Sequence, residues 1–513
     1  MIMSDKLKIA AAIDVGSSAV RMKIAQVKDD SLDMLDNYEY PLSLGKESFN
    51  ISKIQFSTMQ ICCEIINKFY AQARQFDIDD DNITLTGTTA LREAENSGYI
   101  CDQINVKTSR KIKVLEDNEE KTFIFRHMMR QIEKKSDSPR CYMMAYIGTG
   151  SLGIAICRNA KVFYSQNIRM GSLKLYETIG DMSEFGESNI LVAIQEYINA
   201  MFDQIHAQID KHPINQLYIT GKNVSLLSSI FPEKQFSKKD LNDLYRTVCA
   251  LTPRQLIKEY KLTLEQAEVF LSTLVLYDKL LNISKTSNAN IMDVSLCDAM
   301  LYKSLFPTKF KALKVDFERS CVTSAEHISK QYDYDKSHAK AVEKYALTIF
   351  DNLKKLHGFS RKERLYLEVA SILHDIGKFV NLKSHNRISA DIILDSTIIG
   401  FTDDEMAIIA NIARYHSMSI PTELHSQYNN LSPSNQMMVS KLSAILRLAD
   451  ALDRSHLQKI QDIKLELVDK KLNVFVSSKK DILLEQWTFK LKSMFFEEVF
   501  GIKCTLFNTQ NSI

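Results

Sequence analysis

Two strand–turn–strand segments of one design, roughly 130 residues apart, limit the folds open to this chain. The first spans residues 9–25 and the second spans residues 141–156. Each begins with an uninterrupted apolar run, which is typical of a strand buried on both faces of an α/β sheet. Each then reaches a glycine-containing turn and a second strand. The sequence therefore predicts a duplicated α/β unit with a cleft for a nucleotide or a phosphate.

The first turn carries the groups that such a cleft needs. Gly16 lets the backbone approach a ligand closely, and the amides and hydroxyls of Ser17 and Ser18 can point into the turn, where N–H clusters bind phosphate oxygens. Asp14, at the end of the strand, can hold a divalent cation or orient a water. A plain hairpin turn without a ligand is the alternative, because this short pattern is common.

A second strand end, Ile83–Thr86, leads through Gly-Thr-Thr into a helix that carries Arg92. Arginine at such a turn can bind phosphate through two parallel hydrogen bonds. The alternative is a surface ion pair between Arg92 and Glu95.

A later helix begins near Glu119 and Glu120, where acidic residues favour the positive end of the helix dipole. One of these carboxylates could instead act as the base that activates a water.

Composition limits the class of protein. The 513 residues exceed one core and predict three or four domains, and a net charge of +2 gives no overall attraction to nucleic acid or membrane. Nine cysteines at irregular spacings, without a CxxC pair, favour reduced thiols. No run of 18 apolar residues is present, and the N-terminus lacks a signal-peptide cleavage pattern. We therefore expect a cytoplasmic protein.

The architecture changes after a connector expected at Phe306-Pro307-Thr308. Residues 236–305 and 324–457 have helical patterns. The tail predicts two strands, 463–467 and 472–476, joined by Asp469-Lys470-Lys471, then a helix at 482–500 and a strand at 502–507.

Together these segments resemble the exopolyphosphatase / guanosine-pentaphosphate phosphohydrolase (Ppx/GppA) family over nearly the whole chain. The motifs that carry the resemblance are AIDVGSS, TALREAEN, NEE, MGS and the run from HDIGKF to RYH. It implies an α/β plus all-α fold, with two ribonuclease-H-like (sugar kinase/actin-type) domains, a helical HD-like domain and a small C-terminal α+β domain. We place these at residues 1–130, 131–305, 320–458 and 459–513.

The resemblance also implies roles in the N-terminal cleft. Asp14 would lie at a magnesium and phosphate site, Ser17 and Ser18 would hold the terminal phosphate, Arg92 would bind it, and Glu120 would be the base. The turn Gly148-Thr149-Gly150-Ser151 would bind phosphate from the other domain. The reaction would be hydrolysis of a terminal phosphoanhydride of polyphosphate or a guanosine nucleotide.

The order of histidines and aspartates in the helical part resembles the HD phosphohydrolase superfamily. The corresponding residues are His338, His374, Asp375 and Asp450, which would hold a divalent metal such as Mn, Mg, Fe or Ni. His385, His416 and Lys378 could serve a second metal or bind phosphate. For each histidine alone, a hydrogen-bonded core residue is the favoured interpretation, whereas the four predicted ligands in order favour a metal site.

The chain departs from the family pattern at three places. Tyr146 stands where the second turn usually has an acid, and this predicts weaker magnesium binding. Glu116-Asp117 replaces Ser-Gly and adds negative charge beside an anionic substrate. The segment 295–299 reads Ser-Leu-Cys-Asp-Ala instead of Gly-Leu-Arg-Glu-Gly.

Three hypotheses about the function follow from these observations. The first is a phosphohydrolase that removes terminal phosphate from polyphosphate or guanosine pentaphosphate at the N-terminal cleft. The second is an HD-type metal-dependent phosphohydrolase acting on a nucleotide or phosphoester, with the cleft as a sensor. The third is a non-catalytic regulator that binds polyphosphate or an alarmone. The family further suggests a homodimer, without nucleic acid or membrane as partners.

Overall fold

A computed structural model of the protein describes residues 8–133, 140–183, 190–209, 211–468 and 471–509. The chain divides into two compact units, Met1–Phe317 and Glu318–Ile513. Within the described ranges, no helix combines the length and the apolar composition needed to cross a bilayer. All nine cysteines are free thiols.

The first half of the N-terminal unit is built around a five-stranded sheet in the order β3-β2-β1-β4-β5. Strands β1 to β3 are antiparallel, and β4 and β5 continue the sheet in parallel. The elements are β1 (Ile9–Val15), β2 (Ala19–Lys28), β3 (Ser31–Pro41), α1 (Leu44–Ile51), α2 (Phe56–Arg74), β4 (Ile83–Gly87), α3 (Thr89–Glu93), α4 (Ser97–Thr108), β5 (Lys113–Val114) and α5 (Asp117–Glu133).

The second half repeats this topology around a six-stranded sheet in the order β10-β11-β9-β6-β7-β8. Strands β6 to β8 are antiparallel and β9 joins β6 in parallel, as β4 joins β1. The elements are β6 (Cys141–Ile147), β7 (Leu152–Arg158), β8 (Lys161–Ile168), α6 (Ser172–Ser183), α7 (Ile190–Ile209), β9 (Gln216–Gly221), α8 (Val224–Ile230), β10 (Gln235–Ser237), α9 (Lys238–Cys249), α10 (Pro253–Tyr260), α11 (Leu264–Glu268), α12 (Phe270–Ser284), β11 (Asn288–Ile291) and α13 (Leu296–Leu305).

The two halves share a boundary helix that returns to the first sheet. Leu296, Met300 and Leu301 of α13 are buried in one core cluster with Ala10 and Ala12 of β1. An ion pair of 2.9 Å between Lys23 on β2 and Asp298 on α13 lies beside this contact. The outer face of the first sheet is therefore covered by a helix that follows the second sheet in the chain.

The expected connector at Phe306-Pro307-Thr308 is shorter than predicted, because only Phe306 separates α13 from the next helix. Helix α14 (Pro307–Gln331) begins at Pro307 itself. Proline suits the first helical position, because its fixed φ is helical and its missing N–H would have no partner there. The short strands β10 and β11 also lie within the segment that was expected to be only helix-rich.

The C-terminal unit is helical and ends in a three-stranded sheet in the order β12-β13-β14. One core joins both parts, because Val474 of the sheet and Phe489 are buried in the same cluster as Leu448. The predicted turn at 469–471 includes two residues, 469 and 470, that lie outside the described residues. The elements are α15 (Lys336–Asn352), α16 (Lys354–His357), α17 (Arg361–Leu373), α18 (His385–Asp395), α19 (Asp403–Arg414), α20 (Ser426–Asn429), α21 (Pro433–Ala451), β12 (Asp462–Val468), β13 (Lys471–Ser477), α22 (Leu483–Phe500) and β14 (Lys503–Asn508).

Gly221, at the end of β9, is required by the close approach of two strands. Its φ is +116°, and a Cβ atom there would lie 2.1 Å from the carbonyl oxygen of Ile147. We expect Gly221→Ala to lower the free energy of unfolding by at least about 2 kcal/mol, through backbone strain and steric overlap. Urea denaturation followed by far-UV circular dichroism measures this.

The control is Gly98→Ala in α4, where a Cβ atom would meet nothing within 4 Å. It should change stability by no more than about 1 kcal/mol, in the stabilising direction. Equal effects of the two substitutions would contradict the steric argument.

Candidate functional site

Asp14 and Tyr146 occupy equivalent places in the two halves of the N-terminal unit. Each is the sixth residue of the seven-residue strand that begins its sheet, β1 or β6. The Tyr146 hydroxyl donates a 2.9 Å hydrogen bond to Oε1 of Glu120. Burial, Glu120 and Asp14 raise the pKa of Tyr146 well above its usual value, so the phenol stays a hydrogen-bond donor. Asp14 and Glu120 thus face one crevice.

The pKa of the Asp14 carboxyl lies near neutral pH. Burial raises the pKa of its carboxyl to about 7, Arg21 opposes the shift and Glu120 adds to it. Arg21 is its cross-strand partner in the β1–β2 register. The buried Oδ1 of Asp14 has no hydrogen-bond partner among the described residues. An orphaned carboxylate oxygen of this kind suits a cation or an ordered water.

Arg92 contacts the carboxylates at the start of α5. Its guanidinium donates to the Leu115 carbonyl at 2.7 Å, to Asp117 Oδ1 at 3.1 Å and to Glu120 Oε2 at 3.4 Å. The alternative pairing with Glu95 is wrong, because Glu95 instead pairs with Lys53, 3.7 Å away. Arg92 is therefore held at the predicted base.

The negative charge expected from Asp117 is compensated within the protein. Lys121, which has no exposed side-chain surface, lies 2.5 Å from Asp117 Oδ2 and donates to Ser151 Oγ at 2.8 Å. Ser151 in turn donates to Asp117 Oδ1 at 2.8 Å. Burial opposes ionisation of Asp117, but Lys121 and Arg92 outweigh it and lower the pKa of the carboxyl. The expectation of extra negative charge at Asp117 is therefore corrected.

The two predicted phosphate turns lie on opposite halves of the unit. Ser18 Oγ accepts a 2.8 Å hydrogen bond from Lys222 of the second half. In the turn Gly148-Thr149-Gly150-Ser151, the Gly148 and Thr149 carbonyls accept bonds from the first residues of α6, both at 3.0 Å, and the Ser151 hydroxyl belongs to the Lys121 network. Ser151 is thus already engaged by protein groups, unlike Ser17, which has a buried hydroxyl without a partner within the described ranges.

Six side chains converge in the C-terminal unit. They come from the first turn of α15, the end of α17, the start of α18, the residue pair after α19 and the end of α21. Asp335 caps α15 by accepting bonds from the amides of its second and third residues, which fixes the turn that carries the first histidine. The converging residues are His338, His374, Asp375, His385, His416 and Asp450.

Three of the four predicted metal ligands, His338, His374 and Asp450, form one compact group, and Asp375 lies beside it. His338 Nε2 lies 3.2 Å from Asp450 Oδ1 and 3.3 Å from His374 Nε2. Asp375 Oδ2 lies 3.6 Å from His338 Nε2 and 3.5 Å from His374 Nε2. The ligand atoms of His338, His374 and Asp450 all lie within 4.8 Å of one another.

The other oxygen of Asp375 faces the two additional histidines. Asp375 Oδ1 lies 3.4 Å from His416 Nε2 and 3.6 Å from His385 Nε2, and these two nitrogens are 3.3 Å apart. Asp375 thus presents one oxygen to each group of imidazoles.

The outer nitrogens of the four histidines are all engaged, which directs the inner nitrogens to the centre. Nδ1 of His374, His385 and His416 donates to backbone carbonyls at 2.6–2.8 Å, and Nδ1 of His338 bonds to Asp453 at 2.9 Å. Carbonyl oxygens only accept, so Nδ1 carries a proton in these three rings, and Nε2 is the nitrogen that can offer a lone pair. Burial lowers the pKa of His416 to about 4, which keeps that ring neutral.

The carboxylates of this cluster favour positive charge at its centre. Burial opposes protonation of His338, but Asp450 and Asp453 outweigh it and raise its pKa to about 9. The same fields that favour a proton on Nε2 favour a cation there. Both oxygens of Asp375 are buried without a hydrogen-bond partner in the described part of the chain, although Lys378 forms an ion pair 2.5 Å away. Imidazole nitrogens with carboxylate oxygens fit a divalent transition metal.

Sequence reasoning missed several residues of these sites. Arg21 could have been found from the hairpin register, since it pairs with Asp14 across the turn. His456, stacked on His338 with ring centres 3.7 Å apart, follows Asp453 in the sequence and gave only a weak signal. Lys492 on α22 contacts Asp450 and donates to the His416 carbonyl at 2.9 Å. Nothing in the sequence near Lys492 indicated this contact.

Similarity to known proteins agrees with the geometry. The sequence model of the Ppx/GppA phosphatase family matches residues 23–307, and that of Ppx/GppA phosphatase domain III matches residues 322–493. A curated relative from Pseudoalteromonas translucida, a guanosine-5'-triphosphate,3'-diphosphate pyrophosphatase, is 20% identical over 455 residues, which is 86% of each chain.

Two solved structures are also similar. An exopolyphosphatase from Cytophaga hutchinsonii aligns with a TM-score of 0.51 and 19% identity, over 58% of this chain and 98% of that one. The PPX-GPPA enzyme of Aquifex aeolicus aligns with a TM-score of 0.48 and 17% identity, over 57% and 99% of the respective chains. The first of these alignments shows a common fold.

The raised pKa of Asp14 gives a pH dependence of stability. Between its usual value of 3.8 and about 7, the native state binds more protons at Asp14 than the unfolded state. The free energy of unfolding therefore falls as the pH rises through this window, by at most about 1.4 kcal/mol per pH unit. Asp14→Asn should lack this loss, so its advantage over wild type should grow up to about pH 7.

Urea denaturation with EDTA, followed by circular dichroism at several pH values, measures the difference. Asp81→Asn, an exposed position of the same half, is the control. If the free energies of unfolding of wild type and Asp14→Asn change in parallel with pH, the raised pKa of Asp14 is contradicted.

Proposed function

This chain belongs to the Ppx/GppA phosphatase family, and we propose that it is a phosphohydrolase that removes the terminal phosphate of inorganic polyphosphate or guanosine pentaphosphate. The observation that carries the proposal is the contact of Arg92 with Glu120 in the crevice that Asp14 faces. The substrate class follows the names of the relatives, one an exopolyphosphatase and one a guanosine nucleotide pyrophosphatase.

The residues of the cleft divide the work of hydrolysis. Arg92 binds an oxygen of the terminal phosphoryl group, and Glu120 accepts the proton of the attacking water. Tyr146 holds Oε1 of Glu120 by its 2.9 Å hydrogen bond, so the water would approach Oε2, which Arg92 also contacts at 3.4 Å. A magnesium ion, held by Asp14, would neutralise charge on the phosphate.

A second candidate function is metal-dependent phosphohydrolysis in the C-terminal unit, with a nucleotide or phosphoester as substrate. The observation that favours it is the convergence of four imidazole Nε2 atoms on the two oxygens of one carboxylate, Asp375. His338, His374, Asp375 and Asp450 would hold one ion, and His385 and His416 a second. Mn, Mg, Fe or Ni would supply Lewis acidity to a phosphate ester. Lys378 would bind a phosphate oxygen or protonate the leaving group.

The division into four domains, the oligomeric state and the cellular location are part of the same proposal. The repeated sheet order supports two ribonuclease-H-like domains, at residues 1–130 and 131–305. The order of the predicted metal ligands supports an HD-like domain at residues 320–458, followed by a small α+β domain at 459–513. The resemblance suggests a homodimer, and the free cysteines agree with a cytoplasmic location.

Substitution of Glu120 tests the cleft as the site of catalysis. Glu120→Gln should lower phosphate release from polyphosphate or guanosine pentaphosphate about 100-fold or more, because the amide cannot accept the proton of the water. Glu119→Gln is the matched control, since Glu119 instead pairs with Lys113. Its activity should stay near wild type.

Asp375→Ala, assayed on the same substrates and on simple nucleotides, separates the two sites. Retained activity in Asp375→Ala with loss in Glu120→Gln supports the cleft. The reverse pattern supports the C-terminal site and overturns the first proposal. Binding of polyphosphate without turnover by any of these proteins would favour the non-catalytic regulator.

Metal removal tests the second site independently of activity. Dialysis against EDTA should lower the melting temperature of the wild type, and added Mn²⁺ should restore it, because an ion bound only by the native state stabilises it by mass action. His374→Ala should lose this shift and the bound metal that elemental analysis detects. His425→Ala, a histidine that bonds to the Tyr415 hydroxyl, is the control and should keep both. No shift in the wild type would rule out a metal site.

A further inference from the structure

The loop after β9 carries a buried ammonium group into the cleft from the second half. The Lys222 side chain is 9% exposed, and its Nζ donates to Ser18 Oγ at 2.8 Å. We propose that Lys222 and Asn223 form, with Ser17 and Ser18, a second phosphoryl-binding position of the cleft, separate from Arg92. The proposal rests on the phosphate-cleaving function proposed for the cleft and specifies its substrate as one with at least two linked phosphoryl groups.

The position of Lys222 is fixed by the backbone. Its amide donates to the Ile147 carbonyl at 2.7 Å, and its own carbonyl accepts a 3.2 Å bond from the Tyr277 hydroxyl. Gly221 permits the close packing that this requires. Because these two bonds fix the backbone of Lys222, binding of a ligand by its ammonium group costs less conformational entropy.

The ammonium is not saturated by its partners within the described residues. The nearest acceptor, Ser18, is a neutral hydroxyl, and the Glu265 carboxylate is more distant at 3.4 Å. A lysine has three N–H donors, of which these contacts use two. The third donor remains for an anion.

The neighbours of this pair lack partners, which a structural tether would not explain. The Ser17 hydroxyl and both amide atoms of Asn223 are buried without hydrogen bonds to any described residue. These residues are 4% and 8% exposed. Buried polar groups in native proteins are nearly always satisfied, so several orphans beside one lysine indicate a ligand. A phosphoryl group offers the acceptor oxygens that these donors need.

The second position is distinct from that of Arg92. The guanidinium of Arg92 contacts Thr89, Leu115, Asp117 and Glu120, and among the described residues it shares no hydrogen-bond partner with Lys222. Two cationic groups from different halves of the unit, each with its own partners, fit successive phosphates of a condensed phosphate or a nucleoside polyphosphate.

Calorimetric titration of the full chain with tripolyphosphate, in EDTA so that no turnover occurs, tests the proposal. Lys222→Met should raise the dissociation constant at least about tenfold, the loss expected for a charge-assisted hydrogen bond. Lys222→Arg should restore binding to within about threefold of wild type, which also guards against a folding defect. Lys279→Met is the matched control, because Lys279 is equally buried in the same half but bonds to Asn199.

Wild-type affinity in Lys222→Met, or an equal loss in Lys279→Met, would overturn the proposal. Absence of tripolyphosphate binding by the wild type would overturn it as well. Failure of the proposed function is a different result, namely undiminished phosphate release by Glu120→Gln. The binding titration does not depend on that outcome, since it is made without turnover.

Discussion

The buried ion pair of Lys121 with Asp117 holds the N-terminal cleft together. An ammonium group without solvent contact is costly unless a carboxylate compensates it, and Asp117 lies 2.5 Å away. Lys121 also reaches Ser151 on the second half, while Asp117 fixes Arg92 beside Glu120. One pair therefore joins the two halves and sets the position of the group that would bind phosphate.

The two candidate sites offer opposite kinds of binding groups. The cleft presents N–H donors and positive charge from both halves, through Arg92 and Lys222, and so fits an anionic ligand. The C-terminal cluster presents lone pairs of imidazoles and carboxylates, directed inward by bonds to their outer atoms, and so fits a cation. The charges of Asp375 and Asp450 are partly balanced by Lys378 and Lys492, which allows the carboxylates to remain buried.

Local patterns predicted the parts of the molecule that depend on neighbouring residues. Short motifs predicted the strand ends at Asp14 and Tyr146, the helix that carries Arg92 and the order of the histidines. In the structure, the cleft residues lie near one another, and so do the residues around the histidines. Contacts between distant segments were not predictable. The bond of Tyr146 to Glu120 and the approach of Lys492 to Asp450 join residues 26 and 42 positions apart, through packing that no local pattern encodes. Pro307 was expected to lie in a connector but is the first residue of a helix, because proline is found both after helix ends and at helix starts.

The return of α13 to the first sheet affects the order in which the chain can fold during synthesis. Ala10 and Ala12 emerge early from the ribosome, but the side chains that cover them, among them Met300 and Leu301, are made almost three hundred residues later. This apolar face of the first sheet is therefore not covered by α13 while the second half is translated. The core of the N-terminal unit on this side of the first sheet can be completed only after α13 has been made.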